Sequence, residues 1–131
     1  MKYLVDSDYV ADYLKGRTPS TDLLNTLLQD GIAISMITFA EVYEGIYYGH
    51  NRAHYTHIFQ QFLQGVSVLG ITRSIAKQYA FMRGDLGRKG QLIDQPDLFI
   101  AATATYHNLI LVTRNMKDYE RIPNLRIYQA N

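Results

Sequence analysis

Tyr3-Leu4-Val5-Asp6 is an apolar run too short for a helix that stops on an acid, and Glu41, Asp97 and Asp118 each recur just after a later strand-like segment. In an open parallel sheet the carboxyl ends of the strands share one edge, and ligands bind in the crevice where the strand order reverses. Acids far apart in sequence converge there. Four such carboxylates repel one another strongly, and divalent cations relieve that repulsion. The spacing pattern therefore predicts one shared metal site.

Working outward, periodicity predicts a strand at Tyr3 to Asp6, a helix from Asp8 to Lys15, and a second helix from Thr21 to Gln29 after the turn Gly16-Arg17-Thr18-Pro19-Ser20. Asp30-Gly31 closes that helix, and the β-branched run Ile32-Ala33-Ile34-Ser35 reads as a buried strand. Helices over Thr38 to Tyr48 and His50 to Gln64 follow, broken at Gly49, and then a third strand at Val66 to Leu69. Thr72 to Lys89 is helical and ends at Gly90; Pro96 opens another helix that runs to His107. Leu109 to Thr113 is a fourth strand, and a short helix near Lys117 and a last strand at Arg126 to Tyr128 finish the pattern. Alternating β and α elements with continuously apolar strands imply an α/β fold: a central, parallel, twisted sheet of four to five strands with helices on both faces.

At 131 residues and 47% hydrophobic, residues 1–131 are expected to form a single domain with one substantial core. No cysteine is present, which excludes disulfides, thiol nucleophiles and cysteine-ligated zinc and fits a reducing cytoplasm. The opening Met1-Lys2 leads straight into a strand, unlike a signal peptide, and no apolar run approaches membrane-spanning length. A cytoplasmic protein with no membrane partner is expected. The formal net charge of +1 gives no general attraction for nucleic acid, so a nucleic-acid substrate has to be held by a local basic patch.

Each acid also has a purely structural reading. Thr38-Phe39-Ala40-Glu41 matches a capping box, in which Glu41 would reach back to the cap amide. Asp8 can cap the first helix, Asp94 or Asp97 can favour the positive end of the helix containing Pro96, and Asn115 with Asp118 can cap the helix after Thr113. Caps can lie anywhere on a fold, whereas these acids follow strand ends in at least three βα units. That shared placement favours a site.

Four stretches carry a family resemblance: Leu4-Val5-Asp6-Ser7-Asp8; Ile37-Thr38-Phe39-Ala40-Glu41-Val42; Asp97-Leu98-Phe99-Ile100-Ala101-Ala102-Thr103-Ala104; and Leu111-Val112-Thr113-Arg114-Asn115 followed by Lys117-Asp118-Tyr119. Together they resemble the PIN-domain ribonucleases, particularly the VapC-like toxins of bacterial toxin–antitoxin modules. The resemblance implies that Asp6, Glu41 and Asp97 hold Mg²⁺ or Mn²⁺, with Asp118 as the fourth acid and Asn115 its rival. It also implies an endoribonuclease that hydrolyses phosphodiesters of a structured RNA such as tRNA, and a small antitoxin protein as partner. A homodimer is expected as the commonest oligomer. Asp8 and Asp94 depart from the family pattern, which leaves the number of ligands and metals open.

Oxygen ligands select hard ions, and such an ion activates water and stabilises a pentavalent phosphate and its leaving oxygen. Among rivals, Asp6-Ser7-Asp8-Tyr9-Val10 also fits the loop of haloacid-dehalogenase-like phosphatases, with Asp6 as covalent nucleophile and Asp8 its acid. That reading leaves Glu41 and the Asp97 stretch without a role. A receiver domain needs an aspartate where this chain has Leu69-Gly70. A non-catalytic module with the PIN fold, binding RNA or protein, is the third alternative, and the intact acids argue against it. His50, His54 and His57 stand four and three apart, so on one helix they would share a face able to meet a transition metal. Eleven tyrosines, with Tyr43, Tyr47 and Tyr48 just before Tyr55, fit either an interface or core packing. Arg83, Arg88, Lys89, Arg114, Lys117 and Arg121 are candidates for phosphate contact.

Overall fold

Four short parallel strands occupy the centre of the computed structural model, which describes residues 1–129. The last two residues of the expected domain, Ala130 and Asn131, lie outside the described residues. The strands are β1 (Tyr3–Val5), β2 (Ile32–Ser35), β3 (Val66–Leu69) and β4 (Ile110–Val112), and their order across the sheet is β3-β2-β1-β4. Tyr3 lies opposite both Ile32 and Ile110, and Ile32 lies opposite Val66. The chain thus builds outward from β1 to β3 on one side and returns to place β4 on the other. The order reverses beside β1.

The helices are α1 (Ser7–Leu14), α2 (Thr18–Leu27), α3 (Met36–Tyr48), α4 (Arg52–Leu63), α5 (Arg73–Arg88), α6 (Gln95–Tyr106) and α7 (Met116–Tyr119). Strand alternation divides the core into two layers, because successive side chains point to opposite faces. Tyr3, Val5, Ile32 and Ile34 meet Val10, Leu24, Val42 and Phe59 from α1–α4, while Leu4, Ala33 and Leu111 meet Ile75, Leu86 and Leu98 from α5 and α6. Ala101, Ala102 and Ala104, all fully buried, let α6 approach the sheet closely. None of the described helices is long and apolar enough to cross a membrane.

Turn chemistry accounts for most boundaries. Pro19 and Pro96 sit in the first turns of α2 and α6, where a missing N–H costs nothing. Gly31 enters β2 at φ 88°, and its carbonyl accepts from both the Lys2 and Tyr3 amides, tying the start of β1 to β2. The last expected strand is reduced to one parallel bridge, Leu111 with Ile127. Its two backbone bonds, Leu111 N–H to Arg126 O at 2.9 Å and Tyr128 N–H to Leu111 O at 2.8 Å, leave it a rudiment beside β4. The α2 helix begins at Thr18, earlier than expected, because Pro19 opens the helix in its first turn and does not sit in a preceding turn. The α4 helix begins at Arg52, later than expected, because Asn51 is left-handed at φ 62°.

Candidate active site

Asp6 leaves β1 at the reversal of strand order. Its amide continues the ladder to Val112 O at 2.9 Å, and its side chain caps α1 by accepting from the Ser7 amide at 2.8 Å. The other carboxylate oxygen accepts from the Thr113 hydroxyl at 2.7 Å, a bond spanning 107 positions. Only 6% of Asp6 is exposed, and burial pushes its carboxyl up to about 6 against the opposing Thr113 bond, with the charge of Asp8 adding to the rise.

Glu41 comes from the second turn of α3. The capping box expected there does not form: Ser35, the last residue of β2, caps α3 by accepting from the Ile37 amide at 3.0 Å, and Thr38 is buried inside the helix. With its capping role gone, Glu41 accepts instead from the Ser7 hydroxyl at 2.7 Å. Asp97 belongs to the first turn of α6. Contrary to the sequence pattern, no strand precedes it; the connection from α5 carries it to the sheet edge. Its carboxyl is raised by burial first, then by the negative charges of Glu41, Asp94 and Asp118. Asp118 lies in α7, and the Asn115 side-chain amide joins the two acids, donating to Asp97 at 3.4 Å and to Asp118 at 3.1 Å.

Asp6, Glu41, Asp97 and Asp118 are thus brought to one edge of the sheet by four different elements. Asp8 stands beside them, its carboxylate accepting from the Tyr9 amide at 2.8 Å and the Arg114 amide at 3.4 Å. Asp94 precedes α6 without a side-chain capping bond. Among the described residues no three His, Asp or Glu side chains already close around a single point. Charge and donor type nevertheless match a hard cation: every donor is a carboxylate oxygen, and the burial and mutual repulsion of Asp6 and Asp97 leave negative charge uncompensated.

Sequence reasoning missed the small groups that position these acids, Ser7 and Thr113 above all. It also gave no sign of the internal partners of Arg114. Its guanidinium lies 4.4 Å from the centre of the Tyr9 ring, pairs with Asp12 and bonds the Ser20 hydroxyl, so it is held by α1 and α2 even though the side chain stays exposed. Arg88 and Lys89 pair with Asp85, and Arg121 reaches Asp118 at 3.8 Å and the Leu92 carbonyl at 3.0 Å. Among the described residues, Arg83 and Lys117 make no ion pair. The three histidines do not share a helix face, since His50 precedes left-handed Asn51 and only His54 and His57 lie on α4. The tyrosines divide: Tyr43 packs on Phe59 at 5.3 Å, while Tyr47 and Tyr48 are exposed. A groove of about 580 Å³ begins at Asp8 and Glu41 and runs between walls formed by Ala11, Leu14, Val42 and Ile46.

Fold and site together define an α/β protein with a carboxylate-lined crevice at the switch point of a parallel sheet. The PIN domain family model matches residues 3–125, and the chain belongs to the PIN-domain family, alongside the VapC proteins. It is similar to Ribonuclease VapC2 of Haemophilus influenzae, 30% identical over 132 residues with 96% of each chain covered. It is 35% identical over 129 residues to Ribonuclease VapC1 of Methanocaldococcus jannaschii, covering 97% of this chain and 87% of the relative. The tRNA(fMet)-specific endonuclease VapC of Shigella flexneri is 25% identical over 126 residues, with 96% of each covered. Among solved structures, VapBC2 from Rickettsia felis, bound to a promoter DNA fragment, aligns over all of both chains with a TM-score of 0.90 and 28% identity. Membership in this family sets aside the phosphatase expectation.

Proposed function

We propose that this chain is a divalent-cation-dependent endoribonuclease and the toxin of a toxin–antitoxin pair, with Asp6, Glu41, Asp97 and Asp118 as its Mg²⁺ or Mn²⁺ ligands. The observation that carries the reading is the gathering of four carboxylates, from four elements, at the sheet edge of a chain similar to VapC ribonucleases along its length. When bound, the cation supplies an activated water and neutralises charge on the phosphate undergoing attack.

The chain's own residues do the rest. Thr113 and the Ser7 amide fix both oxygens of Asp6, so that acid is held as a ligand and is poorly placed to act as a free nucleophile. The Ser7 hydroxyl aims Glu41, and because Asn115 spans Asp97 and Asp118 we read it as an outer partner of the set, with Asp118 as the fourth ligand. Exposed Lys117, adjacent to Asp118 in sequence, is the cation we assign to the RNA backbone. Similarity to the Shigella flexneri endonuclease supports a tRNA-like substrate. Similarity to the VapBC complexes supports a cognate antitoxin, whose segment would fold into the groove that opens at Asp8 and Glu41. A homodimer acting in the cytoplasm completes the proposal.

The test is to incubate the chain with total cellular RNA and Mg²⁺ and to sequence the new ends. Internal cuts leaving a 5′ phosphate, absent with a chelator, are expected. Hydrolysis of small phosphomonoesters with a trapped phosphoryl group on Asp6 would overturn the reading.

A further inference from the structure

Tyr119 ends α7, and its ring is fully buried in the core layer with Leu98, Ala101 and Ile122. Its hydroxyl is buried without a hydrogen-bond partner among the described residues. A phenylalanine would fill the same space with no polar atom to satisfy, and buried hydroxyls without partners are rare because they forfeit their bonds to water. The phenol lies beside Asp97 and, against the larger rise from burial, lowers that carboxyl's pKa by facing it as a donor, although no hydrogen bond of normal geometry joins the two. A phenol is protonated at neutral pH, so toward these ionised acids it can only donate.

The acids differ in how well they are already held. Asp6 has a donor on each oxygen, Glu41 has the 2.7 Å bond from Ser7, and Asp118 has the 3.1 Å bond from Asn115. Among the described residues, the hydrogen bond of normal geometry on the Asp97 side chain is the long 3.4 Å contact from Asn115. The least restrained carboxylate and the one unused buried donor beside it are neighbours.

We infer that the Tyr119 hydroxyl is a positioning donor for Asp97, closing its hydrogen bond on that carboxylate when a divalent cation occupies the acid cluster. This rests on the proposed metal site. A carboxylate shared between a cation and a buried donor is fixed in orientation, and outer partners of this kind affect affinity for the ion as well as activity.

Calorimetric titration of the full chain with Mn²⁺, alongside melting curves with and without the ion, tests this on wild type and Tyr119→Phe. The variant is expected to bind Mn²⁺ about tenfold more weakly. Its metal-free melting temperature should equal or exceed that of wild type, because the ring is retained and the unpaired hydroxyl is gone. Unchanged Mn²⁺ affinity in Tyr119→Phe overturns the role of the tyrosine and leaves the metal site standing. A wild-type chain that binds no Mn²⁺ overturns both. Failure of Tyr119→Phe to fold also overturns the inference, since a hydroxyl needed only in the loaded site cannot be required by the metal-free fold.

Discussion

At the scale of single residues, the acids are isosteric targets. Asp97→Asn should lower Mg²⁺-dependent RNA cleavage more than about 100-fold, beyond the range typical of outer partners, with a melting curve close to wild type. Asp6→Asn and Glu41→Gln should lower cleavage to a similar extent, and combining them should add little, because each disables one unit. Full cleavage by Asp97→Asn would remove Asp97 from the site. Asp6 carries a further signature. A carboxyl whose folded pKa exceeds its unfolded value stabilises the fold fully below the unfolded pKa of 3.8 and loses that contribution as pH rises through about 6. The rise from 3.8 to about 6 corresponds to about 3 kcal/mol. Without metal, Asp6→Asn should therefore be more stable than wild type near neutral pH by roughly 1 to 3 kcal/mol, with the gap closing by about pH 4. Urea unfolding at the two pH values measures it, and equal stabilities throughout would refute the assigned environment. The convergence of Asp6, Glu41 and Asp118 was legible in sequence because each follows a strand-like run. Ser7 and Thr113 were not, because a hydroxyl reveals its partner only when positions as distant as 6 and 113 are folded together.

At the scale of elements, the loop after β4 supplies three consecutive residues with different duties. Thr113 holds Asp6, Asn115 spans two acids, and Arg114 between them is clamped by Asp12, Ser20 and Tyr9. Asp12 is held below the usual carboxylate range, first by the hydrogen bond from Arg114. This clamp fastens the loop to α1 and α2, so Arg114→Ala should reduce cleavage by about 10 to 100-fold, chiefly in kcat. Arg114→Lys should not rescue it, because an ammonium lacks the planar fork and its stacking on Tyr9. Wild-type kcat in either variant would show the loop to be positioned by other means. The junction before β2 is as demanding. A Cβ at Gly31 would lie 3.0 Å from the Met1 Cα and require φ 88°, so Gly31→Ala should cost more than about 1 kcal/mol in chemical denaturation. Strands and helices were readable from apolar runs and turn residues. The α3 boundary was misread because Ser35 and Thr38 are both plausible caps in sequence, and only the end of β2 decides between them.

At the scale of the whole molecule, expression of wild type alone should arrest bacterial growth, and co-expression with the adjacent small open reading frame should restore it. Asp97→Asn should be harmless in the same assay. Sedimentation of the purified chain should give a dimer. A harmless wild type that sediments as a monomer would end the toxin proposal even if RNA cleavage survived. The parallel sheet and its two helical layers were legible from alternation of element types, whereas the route by which Asp97 arrives, from one helix to another, leaves no strand-like mark in the sequence.

The strand order has a consequence for the timing of synthesis. β1 is made before the other strands, yet its second neighbour, β4, and the last two acids are made only after β2, β3 and the first five helices. Ribosome-bound chains stalled before Asp97 should therefore be inert toward RNA. While it is still being made, this chain thus meets the ribosome, itself built of RNA, with its acidic crevice incomplete until Asp118 has emerged.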